Sequence, residues 1–367
     1  MDIPFYGIKR FYEKHQTEML DAVHKVFAQG NHFGKETDYF ENELCLFTGR
    51  KYAVSLSSCT DALYLALKSA GIVPGDEVLV TSFSFIASAS PILRAGAIPV
   101  FVDISPASFL MDLTTLENKL TEKTKAIIAV HLFGQTMEMD IVENFAMEHN
   151  LVLIEDAAQA LGSKYKGRNA GTLGLSSCLS FDPTKVISAF GSGGALLTDD
   201  ENVADHVKQF RYHGKTKDNN FAFPGLNCRL SGASCALLSF QLKELLTDRI
   251  NKLREIANKY NQNLIEIDNI TLPIYNADYF HIYHKYVIIT ESQYDLQKFL
   301  KSKGIETMIH YPLPLSDYAE FTNVNVEKQD LINCRKTGKK VISLPIYPEL
   351  VDEEIDYICE SIKSFKF

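Results

Sequence analysis

Ser177-Cys178-Leu179-Ser180-Phe181-Asp182-Pro183-Thr184-Lys185-Val186-Ile187-Ser188-Ala189-Phe190-Gly191-Ser192-Gly193-Gly194 is the stretch on which the fold reading turns. A short apolar strand ending at Phe181 would deliver Ser180 and Lys185 to a loop at the sheet edge. Gly191, Gly193 and Gly194 follow, and glycine permits the positive φ and close backbone approach that a buried ligand often requires. Upstream, Leu151-Val152-Leu153-Ile154-Glu155-Asp156-Ala157-Ala158-Gln159 reads as a buried strand ending on Asp156. A lone lysine is usually a solvated charge, and a lone aspartate after a strand is usually a turn residue. A strand-end carboxylate followed by a strand-end lysine among glycines suits pyridoxal phosphate (PLP) chemistry. The amine condenses with the cofactor's aldehyde, and the carboxylate keeps the pyridine nitrogen protonated so that the ring accepts electrons.

Outward from this stretch, strand and helix alternate. Apolar runs at 52–57, 77–81, 98–102, 125–130 and 151–155 read as strands, with helical patterns at 60–70, 84–95, 113–120 and 138–149 between them. That alternation argues for an α/β fold with a mostly parallel sheet sandwiched by helices. Amphipathic helices are expected at 10–29 and 37–47 before it, and near 200–212 and 233–264 after it. The C-terminal part reads as strands near 285–290 and 305–309 with helices near 293–302, 327–337 and 351–364. The division expected is a large domain over 1–250 and a smaller C-terminal α+β domain over 251–367.

The net charge of −9 gives a nucleic-acid partner no electrostatic support. Seven cysteines, an odd number without a CxxC pair, suggest free thiols in a reducing cytoplasm rather than disulfides or a zinc site, so no metal is expected. The N-terminus has neither a basic run nor an apolar core, and no apolar stretch approaches the about 20 residues of a membrane span. Gly191-Ser192-Gly193-Gly194 lacks the GxGxxG spacing and position of a dinucleotide site.

These segments, from Ile3-Pro4-Phe5 to His310-Tyr311-Pro312, resemble in order the DegT/DnrJ/EryC1/StrS family of sugar aminotransferases. The resemblance implies the aspartate aminotransferase-like fold (PLP fold type I), with Lys185 and Asp156 as the catalytic pair. It places Thr60 and the amide of Cys59, where the family usually has glycine, at the cofactor phosphate together with Ser180. Phe85 falls where an aromatic stacks on the pyridine ring, and Gln159 where a Gln or His stands near the ring hydroxyl. Gly225-Leu226-Asn227-Cys228-Arg229 resembles a segment whose asparagine reaches the partner's cofactor phosphate, so Asn227 implies a homodimer with shared sites. Tyr283 and His284, then His310 and Tyr311, fall where the family lines its substrate pocket. Asp182 stands where Tyr is common in enzymes aminating C3 of the sugar and His in those aminating C4.

The activity implied is transfer of an amino group from an amino acid, usually L-glutamate, to a nucleotide-linked keto-6-deoxyhexose. Its purpose would be amino-sugar synthesis for an O-antigen or another surface polysaccharide. C4 is set slightly ahead of C3 only because such enzymes are common. The 3-dehydratase branch of the family, which carries histidine in place of the lysine, is excluded by Lys185. A catalytically silent regulator of the same fold and an aminotransferase for keto acids are the remaining alternatives.

Overall fold

The computed structural model describes residues 1–30, 34–274, 276–322 and 331–367. Among them the apolar runs become β1 (Tyr52–Leu56), β2 (Glu77–Thr81), β3 (Ile98–Val102), β4 (Thr124–Val130) and β5 (Val152–Asp156). A short ribbon of β6 (Lys164–Tyr165) and β7 (Arg168–Asn169) precedes β8 (Ser176–Ser180) and β9 (Gly194–Thr198). The main sheet runs β1-β9-β8-β5-β4-β2-β3, and only β9 pairs antiparallel with its neighbours. This is the mostly parallel α/β sheet expected. The strands are buried on both faces, which is why they are continuous apolar runs and not alternating ones.

The loop carrying Lys185 leaves an inner strand, not an edge strand, because β8 lies between β5 and β9. It therefore emerges beside the end of β5, where Asp156 pairs in register with Cys178. This is the end of the parallel strands where ligands of open α/β sheets bind.

Helix α1 (Ile8–Ala28) and helix α2 (Lys35–Thr48) match the N-terminal patterns, and α3 (Cys59–Ser69) follows β1 directly. Ser58 caps α3: its backbone is extended and its hydroxyl accepts the N–H of Asp61 at 3.0 Å. Gly194 makes this placement possible. A Cβ there would lie 2.3 Å from the Ser58 carbonyl carbon and 2.4 Å from the Cys59 nitrogen. None of Gly191, Gly193 and Gly194 has positive φ, so the expected role of the glycines shifts. Gly194 is needed for helix-to-strand contact, not for a left-handed turn.

Two expected helices are shorter and tighter than their patterns. Residues 84–95 break into a 3₁₀ turn at Ile86–Ser88 and a helix at Ser90–Arg94, with Pro91 in its first turn, and 113–120 forms a 3₁₀ helix at Leu113–Lys119. The pattern at 233–264 is interrupted by a π-helical turn at Gln241–Leu245 between helices Gly232–Phe240 and Leu246–Leu264. The second of these helices runs without a break through position 250.

In the C-terminal part β10 (Tyr279–Phe280) joins the β6–β7 ribbon, and β11 (Tyr286–Ile289) pairs antiparallel with β12 (Val341–Leu344). The strand expected at 305–309 is not one. That segment makes single bridges, Ile305 to Ile3 and Met308 to Ser343, so it joins two elements without extending either. Helices Gln293–Ser302 and Asp352–Ser364 match, and the pattern at 327–337 appears as a helix over Ile332–Gly338, with 327–330 outside the described residues. Apolar side chains gather around the main sheet. A separate cluster joins Ile256, Tyr260, Leu296, Ile342 and Ile358 to Ile3 from the N-terminus. No helix among the described residues is long and apolar enough to cross a membrane.

Candidate active site

A cavity of about 380 Å³ opens at the ends of β5 and β8. It is lined by Cys59, Thr60, Phe85, Asp156, Gln159, Ser180, Asp182, Lys185, His284, His310 and Tyr311, so most of the site residues expected from the sequence converge here. Tyr6, Ser88, His131 and Lys285 join them.

Asp156 is buried at the end of β5. Its Oδ2 accepts the Ser88 hydroxyl at 2.7 Å and its Oδ1 the Ala158 N–H at 3.2 Å. Because Ser88 gives its proton to Asp156, Ser84 donates in the 2.8 Å contact between the two hydroxyls, making a relay Ser84–Ser88–Asp156. The tight turn at 86–88 thus sets the carboxylate's orientation. Beside it, His131 accepts the Met137 N–H at Nδ1, so Nε2–H donates to Glu155 at 2.9 Å. Burial pulls the Glu155 carboxyl upward, but His131, Ser177 and the Leu173 N–H outweigh it and leave it below its ordinary value. This pair sits fully buried behind the strand ends and braces them.

Lys185 lies on a loop held at several points. Its own N–H donates to the Asp182 carbonyl at 2.9 Å, and Asp182 Oδ1 accepts both the N–H and the hydroxyl of Thr184. The buried Gln241 side chain, in the π-helical turn, clamps the backbone of Ser188 from both sides, accepting at 3.0 Å and donating at 2.8 Å. Arg249 donates to the Val186 carbonyl at 3.0 Å and pairs with Glu349 at 2.9 Å. Loss of water around the Lys185 amine pulls its pKa down, against the opposing pull of Asp156 and Asp182. A lysine so depressed is a better nucleophile and base near neutrality.

At α3 the first N–H groups have no intrahelical acceptor, and Cys59 and Thr60, which carry two of them, line the cavity. Burial pushes the Cys59 thiol well above its ordinary range, so it is neutral here. Phe85 is 60% exposed while lining the cavity, an unusual position for a large aromatic without a ligand to cover. On the far wall, Gln159 accepts the Phe133 N–H at 2.9 Å and donates to the Tyr311 hydroxyl at 3.0 Å. Tyr311 stacks on Phe133. His310 Nδ1 meets the Ser343 hydroxyl at 2.7 Å, and burial first, then Lys285 and Lys185, lower its pKa to about 3.

The model of the DegT/DnrJ/EryC1/StrS aminotransferase family matches residues 13–363. The chain belongs to the DegT/DnrJ/EryC1/StrS aminotransferase family. It is 37% identical to a pleiotropic regulatory protein of Geobacillus stearothermophilus, an alignment covering 100% of this chain and 99% of that one. It is 34% identical to the dTDP-3-amino-3,6-dideoxy-alpha-D-galactopyranose transaminase of Aneurinibacillus thermoaerophilus, with 100% of each covered. The crystal structure of DesV from S. venezuelae, in complex with a ketimine intermediate, superposes with a TM-score of 0.95 at 31% identity. That superposition covers 99% of this chain and 98% of DesV. The fold is thus that of the PLP aminotransferases of this family. Its cofactor is PLP, which solved relatives carry in the PLP form and as the amine, PMP.

Tyr283, expected in the substrate pocket, does not line the cavity, and Asn227, which the resemblance assigns to the partner's cofactor phosphate, lies outside it too. Tyr283 is buried in the C-terminal cluster with its ring stacked on His281 at 4.1 Å, because a left-handed turn at φ 51° directs it inward. Asn227 is exposed and bridges Tyr212, away from the cavity. The sequence reading gave Ser88 no role, and it held Lys285 only as part of the stretch 283–286 that falls where the family lines its substrate pocket. Ser88 lies three residues after Phe85, and nothing local to it marks the distant carboxylate that its hydroxyl meets. Lys285 offered the clearer signal, a lysine directly before the apolar run Tyr286–Ile289, since lysines are seldom buried.

Proposed function

We propose that this protein is a PLP-dependent aminotransferase moving an amino group from L-glutamate to a nucleotide-linked keto-6-deoxyhexose for amino-sugar synthesis. The observation that carries the reading is the convergence of Lys185, Asp156 and the N-terminus of α3 on one cavity. The residues fit the cofactor: a depressed lysine, a carboxylate held in place by Ser88, and helix N–H groups suited to a phosphate. Lys185 would hold PLP covalently, Asp156 its ring nitrogen, and Cys59, Thr60 and Ser180 its phosphate, with Phe85 against the ring and Gln159 near its hydroxyl. Bound there, PLP supplies an electron sink for charge developing at the donor α-carbon.

Lys185, freed when the donor's amine takes its place, is the base that removes the α-proton, and its depressed pKa suits that task. Asp156 would face the ring nitrogen and stabilise positive charge there, its carboxylate held by Ser88 and Ala158. Asp182, His284, His310 and Tyr311 line the same cavity and would face the sugar. The names of two relatives support C3 as a position to test beside C4. Besides the Aneurinibacillus enzyme, the relative from Pseudomonas aeruginosa is named for a 3-oxo sugar. We further assign residues 1–250 and 251–367 as large and small domains, and a cytoplasmic homodimer in which the exposed Asn227 serves the partner's site.

The test is the absorbance spectrum of the purified protein with cofactor. A band near roughly 410–430 nm that L-glutamate removes and one keto-sugar restores is the expected result. Locating the new amine then decides C3 against C4. Lys185→Ala should lose both the band and all turnover. The name of the Geobacillus relative favours a second reading, a regulator without catalysis. A wild-type protein with no band in excess cofactor would put that reading first.

A further inference from the structure

A second lysine stands in the cavity, and the proposed chemistry does not use it. Lys285 is 7% exposed and lines the same cavity as Lys185. Its ammonium lies 4.5 Å from the centre of the Tyr6 ring and 5.4 Å from that of Phe5. Aromatic faces attract a cation only modestly. Among the described residues no carboxylate and no hydrogen-bond acceptor meets this ammonium. The cavity's own carboxylates are engaged elsewhere, Asp156 by Ser88 and Ala158, and Asp182 by Thr184. On its own side of the cavity its neighbours are His284 and His310, and neither can neutralise it.

We propose that Lys285 is the positioning residue that takes a substrate carboxylate in this cavity, and this rests on the aminotransferase reading above. An ammonium buried without an anion is costly, and the cost is relieved when a ligand brings the anion in. Lys185 and Lys285 line the same cavity, and Lys185 is close enough to lower the proton affinity of Lys285, so an anion held on Lys285 lies near the reacting centre. A carboxylate meets that requirement. In an amino acid it is bonded directly to the α-carbon, and in a keto-sugar acid it is attached to the ring. A nucleotide's diphosphate is separated from the reacting carbon by the sugar ring and the glycosidic oxygen.

At rest, burial first and Lys185 second lower the Lys285 pKa to about 7, while Asp182 opposes them. His284 and His310 are themselves held neutral by burial, so Lys285 is the cation of this wall that titrates near neutrality. Docking a carboxylate on it therefore draws in a proton above pH 7.

The experiment compares wild type, Lys285→Met and Lys285→Arg as cofactor-loaded proteins, by titration calorimetry at pH 8 in buffers of different ionisation enthalpy. One arm uses glutarate, which has no amine to react, against uncharged glutaramide. The other uses UDP-glucuronate against UDP-glucose. The expected result is that Lys285→Met weakens the carboxylate ligand of at least one arm about tenfold or more, as for a charge-assisted hydrogen bond. Proton uptake should be lost with it, the uncharged ligand should be unaffected, and Lys285→Arg should recover most of the binding. The arm that responds identifies the source: the amino donor, or a sugar acid as acceptor in place of the 6-deoxyhexose proposed above. Equal loss for the charged and uncharged ligands, or no loss in either arm, overturns the proposal. The absorbance band of the same samples reports separately on the aminotransferase reading, and melting temperatures show whether each variant folds.

Discussion

At the strand ends, Asp156 is held by Ser88 and Ala158, whereas across the cavity the Lys285 ammonium has no anionic or hydrogen-bonded partner among the described residues. The difference extends to the neighbours on each side. The sheet wall has its charge locked in place: Glu155 behind it is ionised and saturated by His131, Ser177 and two backbone N–H groups. The opposite wall suppresses charge. Burial lowers His310 to about 3 and Lys285 to about 7, and His284 well below its ordinary value. Saturated hydrogen bonds preorganise a group for a fixed ligand, while unpaired buried groups wait for a ligand that comes and goes. A resident cofactor on one side and exchanging substrates on the other would require that contrast.

Breaking the sheet wall should have the largest effect. Asp156→Asn keeps the shape and removes the charge, so turnover should fall by about 10²–10³, the scale of one preorganised electrostatic partner. Single-turnover kinetics with L-glutamate would measure it, and a loss below threefold would remove Asp156 from the chemistry.

The opposite wall and the neighbouring His281 can be read through acid stability. The native state keeps His281 and His310 unprotonated down to about pH 3, but the unfolded chain takes up protons there once pH falls below about 6.5. Unfolding therefore consumes protons, and stability should drop as pH falls from about 6.5 towards 3, by about 2 kcal/mol per histidine at pH 5. Urea unfolding at pH 7.5 and pH 5 tests this. His281→Asn, which can still accept the Tyr283 N–H, should flatten the dependence, and an unchanged slope would contradict the assignment.

A smaller effect sharpens the comparison from the sheet side. Ser88→Ala leaves the Asp156 charge in place and frees its orientation, so turnover should fall by several-fold to about tenfold, the worth of one hydrogen bond to a charged group. Retention of full activity would mean that the Ala158 N–H alone orients the carboxylate.

The central sheet was legible because each strand carries its own evidence in apolar content and length. β2 and β3 fall at the residues expected, and β1, β4 and β5 within one residue at either end. Where the pattern misled, geometry beyond the local chain intervened. Residues 305–309 have strand composition but find only single bridging partners at Ile3 and Ser343. Residues 84–95 have helical composition, but the helix itself starts only at Ser90, after the turn that presents Ser88 to Asp156.

The sequence by itself determined the α/β fold class, the family and the cofactor, and it put forward the pair Lys185 and Asp156. Asp156 ends β5 and Lys185 stands on the loop that leaves β8, where local pattern and residue type coincide. Only the tertiary structure decided that Ser88 orients Asp156, that Gln241 and Arg249 hold the Lys185 loop, and that Tyr283 turns away while Lys285 lines the cavity. Each of these depends on which atoms meet across long stretches of chain. Burial and hydrogen-bond partners of that kind are set by packing, and no local pattern encodes them.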